Sequence, residues 1–265
     1  MMGILDRREF LGRSAVVLGA SAWGPRLLAA VEKSKEKDSV SVRVAYEGTP
    51  PERKILDCSA DEACETLFKD KPLLAETVVV GKKGGLQNVF VYVSKGLPDR
   101  KWKAPEKPVV VDQNCLYVPH IWGVMAKQPL EIRNGSPLLE VPHLYPKLNK
   151  EQSFSLPGGK KKTITLNRPE VKVRVKCDVH PWEMAFCHVM PHPFFGITDD
   201  QGRCSIKGLE PGKYELTFWQ EKLGVVTKKL EVEAGKTAKI EDLTSKSFKR
   251  PLRKRKRPSR TKKSG

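Results

Sequence analysis

The sequence predicts an all-β protein of Greek-key β-sandwich type, and three observations carry that expectation. Apolar residues alternate with polar or surface residues in several short stretches: Val40, Val42 and Val44; Val89, Val91 and Val93; Val171, Val173 and Val175; Tyr214, Leu216 and Phe218. A strand with one face on a core and the other in water has that period of two. Turn signals separate the stretches, including Glu47-Gly48-Thr49-Pro50-Pro51, Gly84-Gly85, Asn134-Gly135-Ser136-Pro137 and Asp199-Asp200-Gln201-Gly202, as short strands folding back on one another require. The helical signal is slight: residues 52–76 read as loop, with one helical turn around Ala60 to Phe68.

Taken in order, the chain opens on an address. Arg7-Arg8-Glu9-Phe10-Leu11, followed by the short apolar run Ser14 to Ala20, reads as a twin-arginine export signal over residues 1–30. The run is too short for a stable membrane span, and small residues offer cleavage at Ala20-Ser21-Ala22 or Leu28-Ala29-Ala30. The expected location is periplasmic or extracellular. Residues 31–38 form a charged linker, and Val40 to Val44 a first strand ended by prolines that deny further ladder bonds. Thr77 to Val80 and Asn88 to Val93 read as two strands about Gly84-Gly85. After the Pro-rich connector Trp102 to Pro108, strands are expected at Val109 to Asp112, around Leu130 and Ile132, at Thr163 to Leu166, and at Val225 to Val232.

The net charge of +18 resembles a nucleic-acid signal, but eleven lysines and arginines and no acids fall in residues 245–265, leaving +7 on the rest. No specific nucleic-acid signature accompanies it. The basic end, taken from residue 243, has too much like charge to fold alone and suits adhesion to an anionic envelope surface. Neither a nucleophile elbow, a metalloprotease helix, a phosphate loop nor a dinucleotide fingerprint is present, so the chain reads as non-catalytic.

The stretch Val171 to Gly196 gathers most of the metal-binding chemistry. Cys177, His180 and Met184 follow one strand with C-x2-H-x3-M spacing. Thiolate, imidazole and thioether suit copper, and one loop can present all three to a single ion. The run Cys177-Asp178-Val179-His180-Pro181-Trp182 resembles the ligand loop of cupredoxins, blue-copper β-sandwich proteins, and Tyr117-Val118-Pro119-His120 to Asn134 is similar to the segment leading to that family's first histidine ligand. Counting from Asn134, this chain has Glu140 where that histidine would stand; the nearest imidazole is His143. Glu183 is an extra residue in the ligand loop. The resemblance implies a copper site at Cys177, His180 and His143, with Met184 as a long axial contact, and with it a redox partner.

A second resemblance flanks the first. Val42 to Gly48 with Leu86 to Tyr92, and later Gly196 to Gly202 with Gly208-Leu209-Glu210-Pro211-Gly212-Lys213-Tyr214, resemble carboxypeptidase-regulatory-like domains, transthyretin-type sandwiches without peptidase chemistry. The organisation expected is therefore residues 39–98 opening that sandwich, 105–192 as the cupredoxin-like segment, 193–242 closing the sandwich, and 243–265 as a disordered basic tail.

Six cysteines in an oxidising compartment leave two readings open. If Cys177 is a copper thiolate, one of the other five stays free. If Cys177 is bridged, all six can pair: Cys187 with Cys204 across a turn, Cys58 with Cys64 locally, Cys115 with Cys177. The protein would then be a structural or adhesive envelope module without metal, and its partner an envelope polymer.

Overall fold

Alternating burial organises the chain. In the computed structural model, which describes residues 39–249, strand β1 (Ser39–Ala45) buries Val40, Val42 and Val44. Helix α1 (Glu62–Leu67) and strand β2 (Phe90–Lys95) follow. Nine strands come next: β3 (Val109–Gln113), β4 (Tyr117–Val118), β5 (Ile121–Met125), β6 (Pro129–Asn134), β7 (Pro142–Tyr145), β8 (Gln152–Ser153), β9 (Lys161–Thr165), β10 (Glu170–Cys177) and β11 (Met184–Met190). The chain then runs through β12 (Phe195–Ile197), β13 (Arg203–Lys207), β14 (Gly212–Gln220), β15 (Gly224–Val232) and β16 (Thr237–Thr244).

These strands make two sandwiches. In the first, β12-β2-β14-β15 packs on β13-β1-β16, with β1 parallel to β16. Its core joins Val40, Val42, Ile206 and Leu243 from one sheet to Val91, Val93, Leu216 and Phe218 from the other. In the second, β5-β11-β10-β7-β8 packs on β4-β3-β6-β9, with β3 parallel to β6 and β5 parallel to β11. Its core includes Trp122, Leu130, Ile132, Leu144, Val173, Val175 and Val189. Each such side chain, fully buried, contributes about 1.5–3 kcal/mol of hydrophobic stabilisation. All strands of the second sandwich lie in sequence between β2 and β12 of the first.

A seam joins them. Phe90 and Trp219 from the first sandwich bury Ile121 and Met190 from the second, and His120 Nε2 meets Glu221 Oε2 across the same seam at 2.8 Å.

Two local expectations change. The strand expected at Thr77 to Val80 shrinks to a single bridge between Val80 and Leu86, because the chain turns at once through Lys82–Gly84. The basic tail does not begin at residue 243: Leu243 and Phe248 are buried in the first core, and Lys249 bridges Val225. The export signal, the linker to residue 38 and the tail from residue 250 lie outside the described residues. Among the described residues no helix is long and apolar enough to cross a membrane.

Candidate metal centre

One pole of the second sandwich collects the ends of β3, β6 and β10 and the starts of β7 and β11. Asn134, at the end of β6, shapes the turn there. Its amide donates to the carbonyls of Leu138 and Leu156, both at 2.7 Å, and its oxygen accepts from Ser136. That turn delivers Glu140, which pairs its backbone with Leu156 and is fully buried. Cys177 ends β10, and His180 and Glu183 follow in the loop before β11; all three are buried.

The four side chains converge. The Cys177 thiol donates to Glu140 Oε2 at 3.2 Å, His180 Nδ1 lies 2.7 Å from the same oxygen and 3.2 Å from Glu183 Oε1, and the thiol lies 3.7 Å from Nδ1. One ligand atom from each of Glu140, Cys177, His180 and Glu183 falls within 4.8 Å of the others. Four donors bonded at about 2.0–2.3 Å around one ion in a tetrahedron stand about 3.3–3.8 Å apart, so small shifts of these side chains would let all four reach a single metal. Gln113, at the end of β3, holds the carboxylates together by donating to Glu140 Oε2 at 3.0 Å and Glu183 Oε2 at 2.6 Å. On the outer side, His180 Nε2 faces Asp61 Oδ2 at 3.5 Å.

Burial and charge set the protonation. Burial, with Glu183 nearby, pushes the Cys177 thiol up to about 12. Burial also raises Glu183, to about 7. Its hydrogen bond to Glu183, and then that to Glu140, lifts His180 to about 9. Cys177, His180 and Glu183 thus hold protons that a metal ion would displace.

Of the residues expected to bind metal, the structure gathers Cys177 and His180 but not His143 or Met184. On β7, Pro142 and Leu144 face inward, so His143 faces out; its Nδ1 lies 2.8 Å from Asp178, its Nε2 2.6 Å from Glu151, and its ring stacks on Tyr145 at 3.9 Å. Met184 starts β11 on the face opposite the buried Ala185 and Cys187, which turns Glu183 toward the cluster in its place. Glu140 occupies the position where the count from Asn134 places the first ligand, and Glu183 is the additional loop residue. Those two departures were the visible signal of a carboxylate-rich site. Gln113 and Asp61 had none.

The fully paired cysteine arrangement is overturned. Cys64 bonds Cys115, while Cys58, Cys177, Cys187 and Cys204 are free. Cys187 and Cys204 lie in different sandwich cores and cannot meet. The adhesive reading that required a bridged Cys177 loses its basis.

Residues 193–240 match the sequence profile described as polysaccharide lyase family 4, domain II. A search of curated proteins finds no match. Similar solved structures include a copper-containing nitrite reductase from Thermus scotoductus, 16% identical, TM-score 0.30, covering 35% of this chain and 24% of that one. A purple cupredoxin from Nitrosopumilus maritimus is 14% identical, TM-score 0.27, covering 30% and 97%. Amicyanin from Paracoccus versutus is 18% identical, TM-score 0.28, covering 37% and 96%. The site described above rests on its own geometry.

Proposed function

We propose that this is an exported, non-catalytic β-sandwich protein that holds one copper ion at Glu140, Cys177, His180 and Glu183, for copper handling more than for electron transfer. The observation that carries this reading is a free, buried cysteine thiol within 3.2 Å of a buried carboxylate and 3.7 Å of an imidazole nitrogen. Copper(II) binds mixed nitrogen, oxygen and sulfur donors more tightly than the other common divalent ions do. Bound copper would supply one-electron chemistry.

The donor set decides between handling and transfer. Two carboxylates and a thiolate place three anionic ligands around a dication. Hard oxygen donors favour the oxidised ion, whereas thioether and imidazole favour the reduced one. Gln113 and Asp61 fix the carboxylates and the imidazole from outside, as outer-shell partners do in metal sites. The export signal would take the protein to the periplasm or beyond, and the basic residues from 250 onward would add a salt-sensitive attraction to anionic surfaces.

The test is titration of metal-free protein with Cu(II), read by native mass spectrometry and visible absorption. One ion per chain and a thiolate-to-copper band that Cys177→Ser abolishes support the reading. Failure to retain any copper after desalting overturns it.

A further inference from the structure

The cluster is sealed, and its cover is unusual in how it is attached. Glu140 and Glu183 are wholly inaccessible and Cys177 and His180 are 3% exposed, so no ion reaches them without movement. The cover consists of Asp61, at the N-terminus of α1, on His180 Nε2 and the Trp182 ring, whose centroid lies 4.9 Å from that of His180. Both depend on one anchor. Asp61 belongs to the segment tied by Cys64–Cys115, and Trp182 Nε1 donates to the carbonyl of Cys115 at 3.1 Å.

The segment that carries Asp61 bonds mainly to itself. Leu56 N–H donates to Leu73, Ala75 N–H to Lys54, Phe68 N–H to Cys64, and the Arg53 guanidinium to Leu74 and Ala75. Among the described residues it is held to the sandwich by the disulfide, the Asp61–His180 pair and a small apolar cluster with Leu116, Leu138 and Trp182. The outer side chains Ile55 and Leu67 are in solvent. Packed against that same apolar cluster, and partly exposed, is the free thiol of Cys58.

We propose that Cys58, Cys64 and Cys115 form a thiol–disulfide latch that controls passage of metal to the buried cluster. The Cys58 thiolate attacks Cys64 Sγ; the Cys58–Cys64 bond forms, the Cys64–Cys115 bond breaks, and Cys115 leaves as a thiolate that takes up the proton Cys58 lost. Exchange of this kind conserves the number of disulfides and needs no outside oxidant or reductant. An external thiol, reaching the partly exposed end of the system, then reduces the local bridge and keeps the segment open. With Cys115 released, Asp61 is no longer pinned over His180. The resting state stays closed because burial first, and then the neighbouring acids Glu65, Asp57 and Asp61, hold the Cys58 thiol above its ordinary range. The inference rests on reading the cluster as a metal site.

The test uses full-length protein loaded with Co(II), which thiols do not reduce, and follows loss of its thiolate absorption to excess EDTA. Reduced glutathione is expected to speed release at least tenfold in the wild type and by less than twofold in Cys58→Ser. Peptide mapping under limiting glutathione should recover a Cys58–Cys64 bridge. The double variant Cys64→Ala, Cys115→Ala should release quickly without glutathione; if it does not fold, the comparison of wild type with Cys58→Ser decides alone. Release unaffected by glutathione, or equally accelerated in Cys58→Ser, overturns the latch while leaving the metal site standing. Absence of both Co(II) and Cu(II) binding in every form overturns both.

Discussion

Glu140 and Cys177, 37 residues apart in sequence, meet as acceptor and donor at 3.2 Å in the buried pole of the second sandwich. This contact places a carboxylate where an imidazole would make a softer site. Glu140→His should therefore raise the copper reduction potential and intensify the thiolate band, since one negative charge leaves and a borderline donor arrives. Glu140→Gln should weaken Cu(II) binding by at least the roughly 10–100-fold that loss of an outer-shell partner costs. Potentiometry and competition titration check the two variants.

Metal binding should also depend on pH in a defined direction. Glu183, held up to about 7, and His180, held up to about 9, carry protons that the ion must displace. Apparent affinity therefore climbs between pH 6 and 9, by as much as about tenfold per pH unit for each proton released. Competition titrations at pH 6, 7.5 and 9 test this, and a flat profile would remove His180 and Glu183 from the ligand set.

Gln113 gives a stability prediction with its own internal control. Its amide donates to both Glu140 and Glu183, so Gln113→Leu removes one of the two groups that bridge these buried carboxylates and leaves only His180 Nδ1 touching both. Metal-free protein should lose about 1–3 kcal/mol, read as the shift in denaturant midpoint. A bound dication takes over the neutralising role, so the loss in the copper-loaded protein should be much smaller.

Much of the framework was legible, and the exceptions have physical causes. Tyr214, Leu216 and Phe218 are buried on β14 as their alternation required, and so are Val89, Val91 and Val93. Val171 is not: it is exposed because the register between β10 and β11 shifts between Glu170 and Val173, with Lys172 at φ 66°. Glu170 holds that irregularity by accepting the backbone N–H groups of Lys147, Leu148 and Asn149, a long-range arrangement no local pattern reports. Cys177 and His180 were legible because soft ligands cluster in sequence. Glu140, Glu183 and Gln113 were harder, since a buried acid or amide looks like any surface residue until folding removes its water.

The seam between the sandwiches holds a titratable group at a cost. His188 is fully buried, stacks on Phe90 at 3.9 Å and stands edge-on to Trp219 at 4.7 Å, with neither ring nitrogen hydrogen-bonded. Burial pushes its pKa down to about 3. Below pH 6.5 the unfolded chain takes up a proton that the folded chain refuses until near pH 3, so stability falls as pH falls through that window. His188→Phe should flatten the decline most clearly between pH 6.5 and 5, above the range where carboxylates dominate. Urea unfolding at half-unit pH steps would measure it, and an unchanged slope would show that His188 is not the source.

Gly123 explains how the two sandwiches approach so closely. It sits on β5 directly opposite His188 of β11, and a side chain there would come within 2.8 Å of Phe90 Cε2 and closer still to the Phe195 ring. Both rings belong to the first sandwich, so the absent side chain is what lets that sandwich lie flat on the second. Gly123→Ala should overpack the seam at a cost of about 1–3 kcal/mol while leaving each core intact. Since Phe90, Ile121, Met190 and Trp219 bury one another only while the seam is closed, the variant should weaken the coupling between the halves. Calorimetry should then resolve two unfolding transitions where a single one is expected for the wild type; a single transition, merely shifted down, would mean that contacts beyond this seam hold the sandwiches together.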